Sequence, residues 1–174
     1  MRDCQKGDME EPILHRQQVR SADCEAVGRL VRATGFFSEE EAGIAVELVD
    51  ERLLKGESSG YFFLLAEAKD RLLGYSCFGP IPGSTHSYDL YWIAVDPEAQ
   101  GKGIGKRLLI ESERIMAARG ARRIYADTSS RPQYEPTHAF YRSCGYREEA
   151  FLRDFYGPGD GKVIFVKTTG NDPK

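Results

Sequence analysis

Apolar residues recur every three or four positions in four segments of the chain, which is the spacing of one face of an α-helix. This spacing predicts helices over 21–34, 38–55, 104–119 and 136–144. At the start of the second helix, Ser38 and Glu41 stand three residues apart. That is the spacing of a capping box, in which the two side chains satisfy each other's backbone amides.

Seven shorter runs, apolar or alternating and bounded by turn residues, have the pattern of β-strands. They span residues 13–20, 61–68, 72–78, 88–95, 123–128, 146–155 and 162–167. The segment Gly79–Gly83 contains two prolines and is predicted to be a loop. The order β-α-α-β-β-β-α-β-α-β-β predicts an α/β fold in which a mixed, mostly antiparallel sheet is flanked by about four α-helices.

The length of 174 residues fits one domain, so we predict a flexible tail over 1–11 and a single domain over 12–170. Hydrophobic residues make up 41% and charged residues 29%, which is typical of a globular protein rather than a disordered one. A net charge of −3 provides no basic surface for a phosphate backbone, so no nucleic-acid partner is predicted. No apolar run approaches a membrane span and the first residues lack a signal-peptide core, which predicts a cytoplasmic protein without membrane association.

The four cysteines are scattered, without a CxxC pair or another ligand-like grouping. They are Cys4, Cys24, Cys77 and Cys144. We therefore predict reduced thiols, with neither a disulfide framework nor a metal site.

The segment most informative about function is Trp92–Leu109, where a predicted strand ends and three glycines precede an amphipathic helix. Gly101, Gly103 and Gly105 allow a tight turn whose amide groups approach a bulky anion. The start of the following helix adds unpaired amide donors and the positive end of its dipole, so phosphate is the expected ligand. A glycine-rich turn without any ligand is the alternative that these residues alone leave open.

Two common phosphate-binding patterns do not fit this loop. A nucleoside-triphosphate loop requires an earlier glycine where Gln100 stands and a serine or threonine where Arg107 stands. A dinucleotide fingerprint requires a glycine at position 106 or 108, which are Lys106 and Leu108. A nucleotide-binding protein is therefore disfavoured.

Two motifs resemble those of a known family. The run from Gln100 to Gly105 fits the Q/R-x-x-G-x-G/A signature of the GNAT superfamily of N-acetyltransferases, and Ala139–Tyr146 is similar to that family's FYxxxGF helix and turn. The order of elements also resembles the family over nearly the whole chain. One departure is Tyr134, which stands where the family often has an asparagine that contacts the cofactor arm.

The resemblance implies a GNAT-like fold and acetyl-CoA as cosubstrate, without a metal. In the family, the glycine loop binds the pyrophosphate of acetyl-CoA and the preceding strand binds the pantetheine arm through its backbone. By this resemblance the amide of Ile93 faces the thioester oxygen. The implied cofactor-binding residues are Ile93, Ala94, Val95, Gln100, Gly101, Lys102, Gly103, Ile104, Gly105, Lys106, Phe140 and Arg142. The side chains of Lys102, Lys106, Arg107 and Arg142 either meet the phosphates or are exposed solubilising charges.

Acetyl transfer to an amine requires a proton donor for the departing thiolate and a base for the amine. Tyr141 of the second motif is the candidate general acid, with a packing tyrosine as the alternative. Asp89 is the candidate base, since four residues of strand separate it from Ile93 and a regular strand places both side chains on one face. Histone-acetylating members of the family have a carboxylate at the matching place. A solvated aspartate is the alternative, and Glu67 and His86 are weaker substitutes.

The function implied by the resemblance is transfer of an acetyl group from acetyl-CoA to a primary amine of a small molecule, peptide or protein, by direct attack in a ternary complex. The alternative is a non-catalytic acyl-CoA-binding regulatory module. The acceptor is predicted to lie between the second helix, the loop 79–87 and the hairpin at Asp154-Phe155-Tyr156. Acidic residues near that hairpin attract a cationic amine or simply form a solvated face. Members of the family often form dimers, so a homodimer is one assembly that the resemblance implies.

Overall fold

Helices and strands alternate along residues 12–170, the part of the chain that the computed structural model describes. The helices are α1 (Ala22–Thr34), α2 (Glu39–Lys55), α3 (Ile104–Ala118) and α4 (Glu135–Ser143). The strands are β1 (Leu14–Arg16), β2 (Phe62–Ala68), β3 (Arg71–Pro80), β4 (Ser87–Val95), β5 (Arg123–Ser129), β6 (Arg147–Gly157) and β7 (Asp160–Thr168). The predicted element order is confirmed, whereas the predicted tail over 1–11 lies outside the described residues.

The strands form one sheet in the order β1-β2-β3-β4-β5-β7-β6. Neighbouring strands are antiparallel except β4 and β5, which are parallel. The chain crosses from β4 to β5 through α3, as a parallel pair requires. The predicted fold, a mixed and mostly antiparallel sheet flanked by helices, is confirmed.

Two predicted boundaries are wrong, each for a local reason. The first strand ends at Arg16, whose guanidinium contacts the carboxylate of Asp23 at the start of α1 (2.8 Å), so the chain leaves the sheet there. The third strand continues through Gly79 and Pro80, which were predicted to be a loop. A side chain at Gly79 would collide with the carbonyl oxygen of Gly60, so this glycine serves a close approach of backbones rather than a turn.

The start of α2 is fixed by the capping box that the sequence predicts. The hydroxyl of Ser38 accepts a hydrogen bond from the Glu41 amide (3.2 Å), and the Glu41 carboxylate accepts one from the Ser38 amide (2.7 Å). The capping interaction holds the Glu41 side chain at the end of the helix that meets the α1–α2 loop.

A β-bulge in β4 changes which of its side chains share a face of the sheet. The pairing with β3 shifts by one residue between Leu90 and Trp92, so Tyr91 is the extra residue. Leu90 and Ile93 consequently pack with α3 and α4, whereas Tyr91 and Trp92 pack with α1 and α2. The prediction that Asp89 and Ile93 share a face is therefore wrong, because the bulge adds one residue between them.

The parallel pair separates soon after it forms. Only Ser87–Asp89 of β4 pairs with β5, although β4 continues to Val95 and β5 continues to Ser129. The C-terminal halves of the two strands therefore border a gap at the centre of the sheet. In α/β folds, ligands bind beyond the carboxyl ends of parallel strands, where neighbouring connections diverge.

Candidate active site

A cavity of about 840 Å³ occupies this gap, a volume within the range of pockets that hold ligands of drug size. Two parts of its wall differ in chemistry. The first, the loop side, is formed by the glycine loop 100–106 and by the start of α4. The second, which we call the aromatic chamber, is formed by Phe36, Phe37, Glu41, Trp92, Asp127, Tyr134, Tyr156 and Asp160.

The glycine loop turns by means of two left-handed residues. Gly101 and Gly103 both have φ of 77°, a conformation that side chains disfavour. An added Cβ at either position meets no atom beyond the chain neighbours, so backbone conformation rather than crowding requires glycine here. The carbonyl of Gly103 accepts a hydrogen bond from the Arg107 amide (3.1 Å). The amides ahead of Arg107 therefore lie at the N-terminus of α3, where backbone donors and the helix dipole favour an anion.

The backbone of β4 also presents polar groups to the cavity. The amide of Asp96 donates to a carbonyl of β3 (2.8 Å). Because successive residues of an antiparallel ladder alternate in direction, Ala94 faces β3, whereas Ile93 and Val95 direct their amides and carbonyls into the gap. The Val95 carbonyl accepts a hydrogen bond from the side-chain amide of Gln100 (3.4 Å), which agrees with this direction. The Ile93 amide is thus oriented towards a ligand in the cavity.

Tyr141 is buried at the cavity wall, with 4% of its surface exposed. Its ring packs against the rings of Phe165 (centroids 5.5 Å apart) and Tyr146 (5.3 Å). Burial raises the pKa of Tyr141 well above its ordinary value, so the phenol keeps its proton at neutral pH. Within residues 12–170 its hydroxyl makes no hydrogen bond. The side chain therefore holds a proton at the cavity without a protein acceptor for it.

Asp89 is half-buried on β4, beside the cavity rather than in its wall. Burial raises the pKa of its carboxyl group to about 6, the negative charge of Asp127 adds to the rise, and Lys162 opposes it. A carboxylate with this pKa is ionised at neutral pH and accepts a proton more readily than an ordinary aspartate does. Asp127 lines the cavity and Asp89 does not, so Asp89 requires a relay to accept a proton from a ligand there.

Most of the residues implied by the family resemblance come together at the cavity. Its wall includes Ile93, Ala94, Val95, Gln100, Gly101, Gly103, Ile104, Gly105, Lys106, Phe140 and Tyr141. Lys102, Arg107 and Arg142 are outside the wall, and Arg142 pairs with Glu135 (3.1 Å) and Glu148 (3.4 Å). These two carboxylates engage the Arg142 guanidinium, and its contact with the cofactor stays a prediction.

The two weaker candidate bases lie elsewhere. Glu67 pairs with Arg16 (2.9 Å) where β2 meets β1. A ring nitrogen of His86 lies 3.1 Å from the carbonyl oxygen of Gly120, in the exposed loop before β4. Neither side chain lines the cavity.

The aromatic chamber is built from segments that are far apart in sequence. The rings of Phe37 and Trp92 are 4.7 Å apart, and those of Phe36 and Tyr134 are 5.5 Å apart and edge-on. The hydroxyl of Tyr134 donates to the carbonyl of Phe36 (3.2 Å), which fastens the β5–α4 loop to the α1–α2 loop. Tyr134, which departs from the family pattern, thus forms part of the chamber wall and joins the two loops there.

Of the three segments predicted to surround the acceptor, two contribute. The second helix supplies Glu41 and the hairpin supplies Tyr156, whereas the loop 79–87 supplies no wall residue. Sequence reasoning missed Asp127 and the pair Phe36-Phe37. The pair Phe36-Phe37 could have been found, because two aromatic residues in a connection between helices indicate a surface that contacts another group.

Within residues 12–170, no three His, Cys, Asp or Glu side chains are grouped so as to hold a metal ion. Among the helices of the described part of the chain, none has the length and apolar character that crossing a bilayer requires.

Comparison with known proteins gives consistent matches. The model of the acetyltransferase (GNAT) family matches residues 26–146. Mycothiol acetyltransferase from Amycolatopsis mediterranei is 33% identical over 135 residues, which are 70% of this chain and 44% of that protein. The chain therefore spans less than half the length of that relative.

Two solved structures share the fold. One, assigned to the GNAT family of acetyltransferases and from Desulfovibrio desulfuricans, is 43% identical with a TM-score of 0.89, covering 90% of this chain and 99% of that one. The other is the PaiA N-acetyltransferase from Thermoplasma acidophilum in complex with coenzyme A. It is 24% identical with a TM-score of 0.70, and the match covers 91% of this chain and 99% of that one.

Proposed function

The chain belongs to the GNAT family of acetyltransferases, and we propose that it transfers the acetyl group of acetyl-CoA to a primary amine while both substrates are bound. The observation that carries the proposal is the loop side of the cavity. There, two left-handed glycines and the N-terminus of α3 form an anion site beside a strand whose backbone groups face the same space. We place both substrates within the single domain formed by residues 12–170.

The residues of the loop side fit the chemical groups of acetyl-CoA. The amides at positions 103–106 bind the diphosphate, which suits a helix N-terminus. The Ile93 amide and the Val95 carbonyl bind the amide groups of the pantetheine arm and orient the thioester towards the chamber. When bound, acetyl-CoA supplies the activated acetyl group. Alignment of the two substrates in such a cavity lowers the barrier by roughly 7–11 kcal/mol.

Two side chains manage the protons of the reaction. Asp89 takes up a proton from the amine through water, so that the neutral amine attacks. Tyr141 holds its proton on the phenol oxygen and gives it to the departing sulfur. The Ile93 amide donates to the thioester oxygen where negative charge develops.

The proposed function is tested by thermal unfolding with CoA, ATP and NAD, followed by an assay of thiol release against a panel of amines and peptides. CoA at 100-fold above its Kd is expected to raise Tm by about 5–10 °C, more than either nucleotide does. Acetyl-CoA with at least one amine is expected to release CoA. Stabilisation by CoA without thiol release for any amine would identify a non-catalytic binding module, and greater stabilisation by ATP or NAD would identify a nucleotide-binding protein.

The pH dependence of kcat in the Asp89→Asn variant tests whether Asp89 is the base. Because the carboxylate accepts a proton only when ionised, the ratio of wild-type to variant kcat is expected to rise about tenfold per pH unit below pH about 6 and to level off above it. Taking the ratio cancels the ionisation of the amine itself. Asp127→Asn removes a negative neighbour, so it is expected to move the inflection to lower pH. A ratio that is the same from pH 5 to pH 8 excludes Asp89 as the base.

A further inference from the structure

The aromatic chamber and its immediate border carry more negative than positive charge. Asp127 pairs with Lys162 (2.7 Å) and Asp160 pairs with Arg131 (3.1 Å). Glu41 lines the same chamber and has no ion-pair partner within residues 12–170, and Asp89 lies beside Asp127. Four carboxylates thus face two cations, and the remaining cation of the cavity wall, that of Lys106, belongs to the loop side.

At the border of the chamber, Lys162 shows how an ammonium group is held there. The Lys162 ammonium lies 2.7 Å from the Asp127 carboxylate and 4.1 Å from the centre of the Phe155 ring. Carboxylate and aromatic ring together are a common arrangement for binding cations. Glu41 lines the chamber together with the edge-on rings of Phe36 and Tyr134, and no cation from residues 12–170 forms an ion pair with it.

A second feature of the cavity is the hydroxyl of Tyr141, the proposed proton donor. The Tyr141 side chain lines the same cavity with 4% of the residue's surface exposed, and its hydroxyl makes no hydrogen bond within residues 12–170. This hydroxyl is therefore available to hydrogen-bond a ligand that enters the cavity. The excess negative charge therefore lies next to a group that awaits a polar ligand.

The wall of the chamber also bears on the chemistry of that ligand. The hydrogen bond from Tyr134 to Phe36 and the edge-on contact of their rings join the two loops on either side of the chamber. The rings of Phe36, Phe37 and Trp92 give the chamber an apolar wall, which suits the methylene groups of an aliphatic chain.

We infer that the acceptor is a linear aliphatic amine with a second ammonium group, a diamine or polyamine. One ammonium lies by Glu41 and the rings of Phe36 and Tyr134, while the amine that reacts lies towards Tyr141. This inference rests on the proposed function and specifies its acceptor. Excess negative charge in a cavity also raises the rate at which dications enter, and that contribution falls as ionic strength rises.

The test compares putrescine with aminobutanol, which has the same chain length and a hydroxyl in place of the second ammonium. After division by two for its equivalent amines, putrescine is expected to have a kcat/KM about tenfold higher at about 10 mM ionic strength. At about 500 mM this preference is expected to fall to about twofold. Equal values at low ionic strength, or a higher kcat/KM for a peptide that begins with alanine, would overturn the inference.

Two charge-neutralising variants locate the second ammonium. Glu41→Gln keeps the capping box, since glutamine also accepts the hydrogen bond from Ser38, and removes only the charge. It is expected to lower the preference for putrescine about threefold or more. Glu40→Gln removes the same charge from an exposed neighbour outside the cavity and is expected to leave the preference unchanged.

The outcomes separate this inference from the function on which it rests. If both variants lower the preference equally, the effect is one of overall charge and the inference is wrong. If acetyl transfer to aminobutanol matches that to putrescine, the acetyltransferase function stands and only the second ammonium is refuted. If no amine or peptide releases CoA, the proposed function itself fails.

Discussion

Replacing Tyr141 with phenylalanine is expected to lower kcat for amine acetylation by about 10²- to 10⁴-fold, with CoA affinity changed by less than about threefold. The phenol lies at the cavity wall with its proton retained by burial, and the ring is held by aromatic neighbours that phenylalanine also contacts. The variant therefore keeps the packing and loses only the proton donor. Steady-state kinetics and CoA titration by calorimetry measure the two effects separately.

Tyr146→Phe is the matched control. Tyr146 is buried in the same aromatic cluster, with its ring centroid 5.3 Å from that of Tyr141, but it does not line the cavity. Its variant is expected to keep kcat within about twofold of the wild-type value. Similar kcat values for the wild type and Tyr141→Phe would leave Tyr141 with a packing role alone.

The second large effect is expected from Gly103→Glu, which should weaken CoA binding by more than about a hundredfold, or about 2.7 kcal/mol. The left-handed backbone at this position costs a side chain about 1–2 kcal/mol, so the loop either strains or rearranges. The added carboxylate also repels a diphosphate at the helix N-terminus. Calorimetric titration with CoA measures the loss.

Gly83→Glu separates site effects from general strain. Gly83 also has a left-handed backbone, with φ of 80° and open space around an added Cβ, but it lies in the β3–β4 connection away from the cavity. The control variant introduces the same charge and a similar strain, and we expect it to bind CoA as the wild type does. Undiminished CoA binding by Gly103→Glu, with Tm close to that of Gly83→Glu, would remove the diphosphate from this loop.

The elements of the fold were predictable because each depends on local chemistry. The capping box at Ser38 and Glu41 and the glycines before α3 specify backbone conformation within a few residues. Regular alternation, by contrast, gives no signal for the bulge at Tyr91, since the extra residue is apolar like its neighbours. Sequence reasoning therefore assigned Asp89 to the wrong face while it identified its strand correctly.

The loop side of the cavity was also predictable, because residues 93–106 are contiguous. The aromatic chamber was not, since Phe36 and Tyr134 are separated by 98 positions and only the folded sheet brings them together. The sequence also did not indicate which charged side chains form ion pairs. Arg142 has the positive charge that a phosphate ligand requires, but its guanidinium forms an ion pair with Glu148 on the next strand.

The hydrogen bond between Tyr134 and Phe36 has a consequence for how the proposed activity can change over time. It joins two connections that lie apart from the strand and the glycine loop proposed to bind acetyl-CoA. Substitutions at Tyr134 can thus alter the preference for the molecule that receives the acetyl group without changing the proposed cosubstrate site. Selection or design aimed at a broader range of amines should begin by loosening this hydrogen bond.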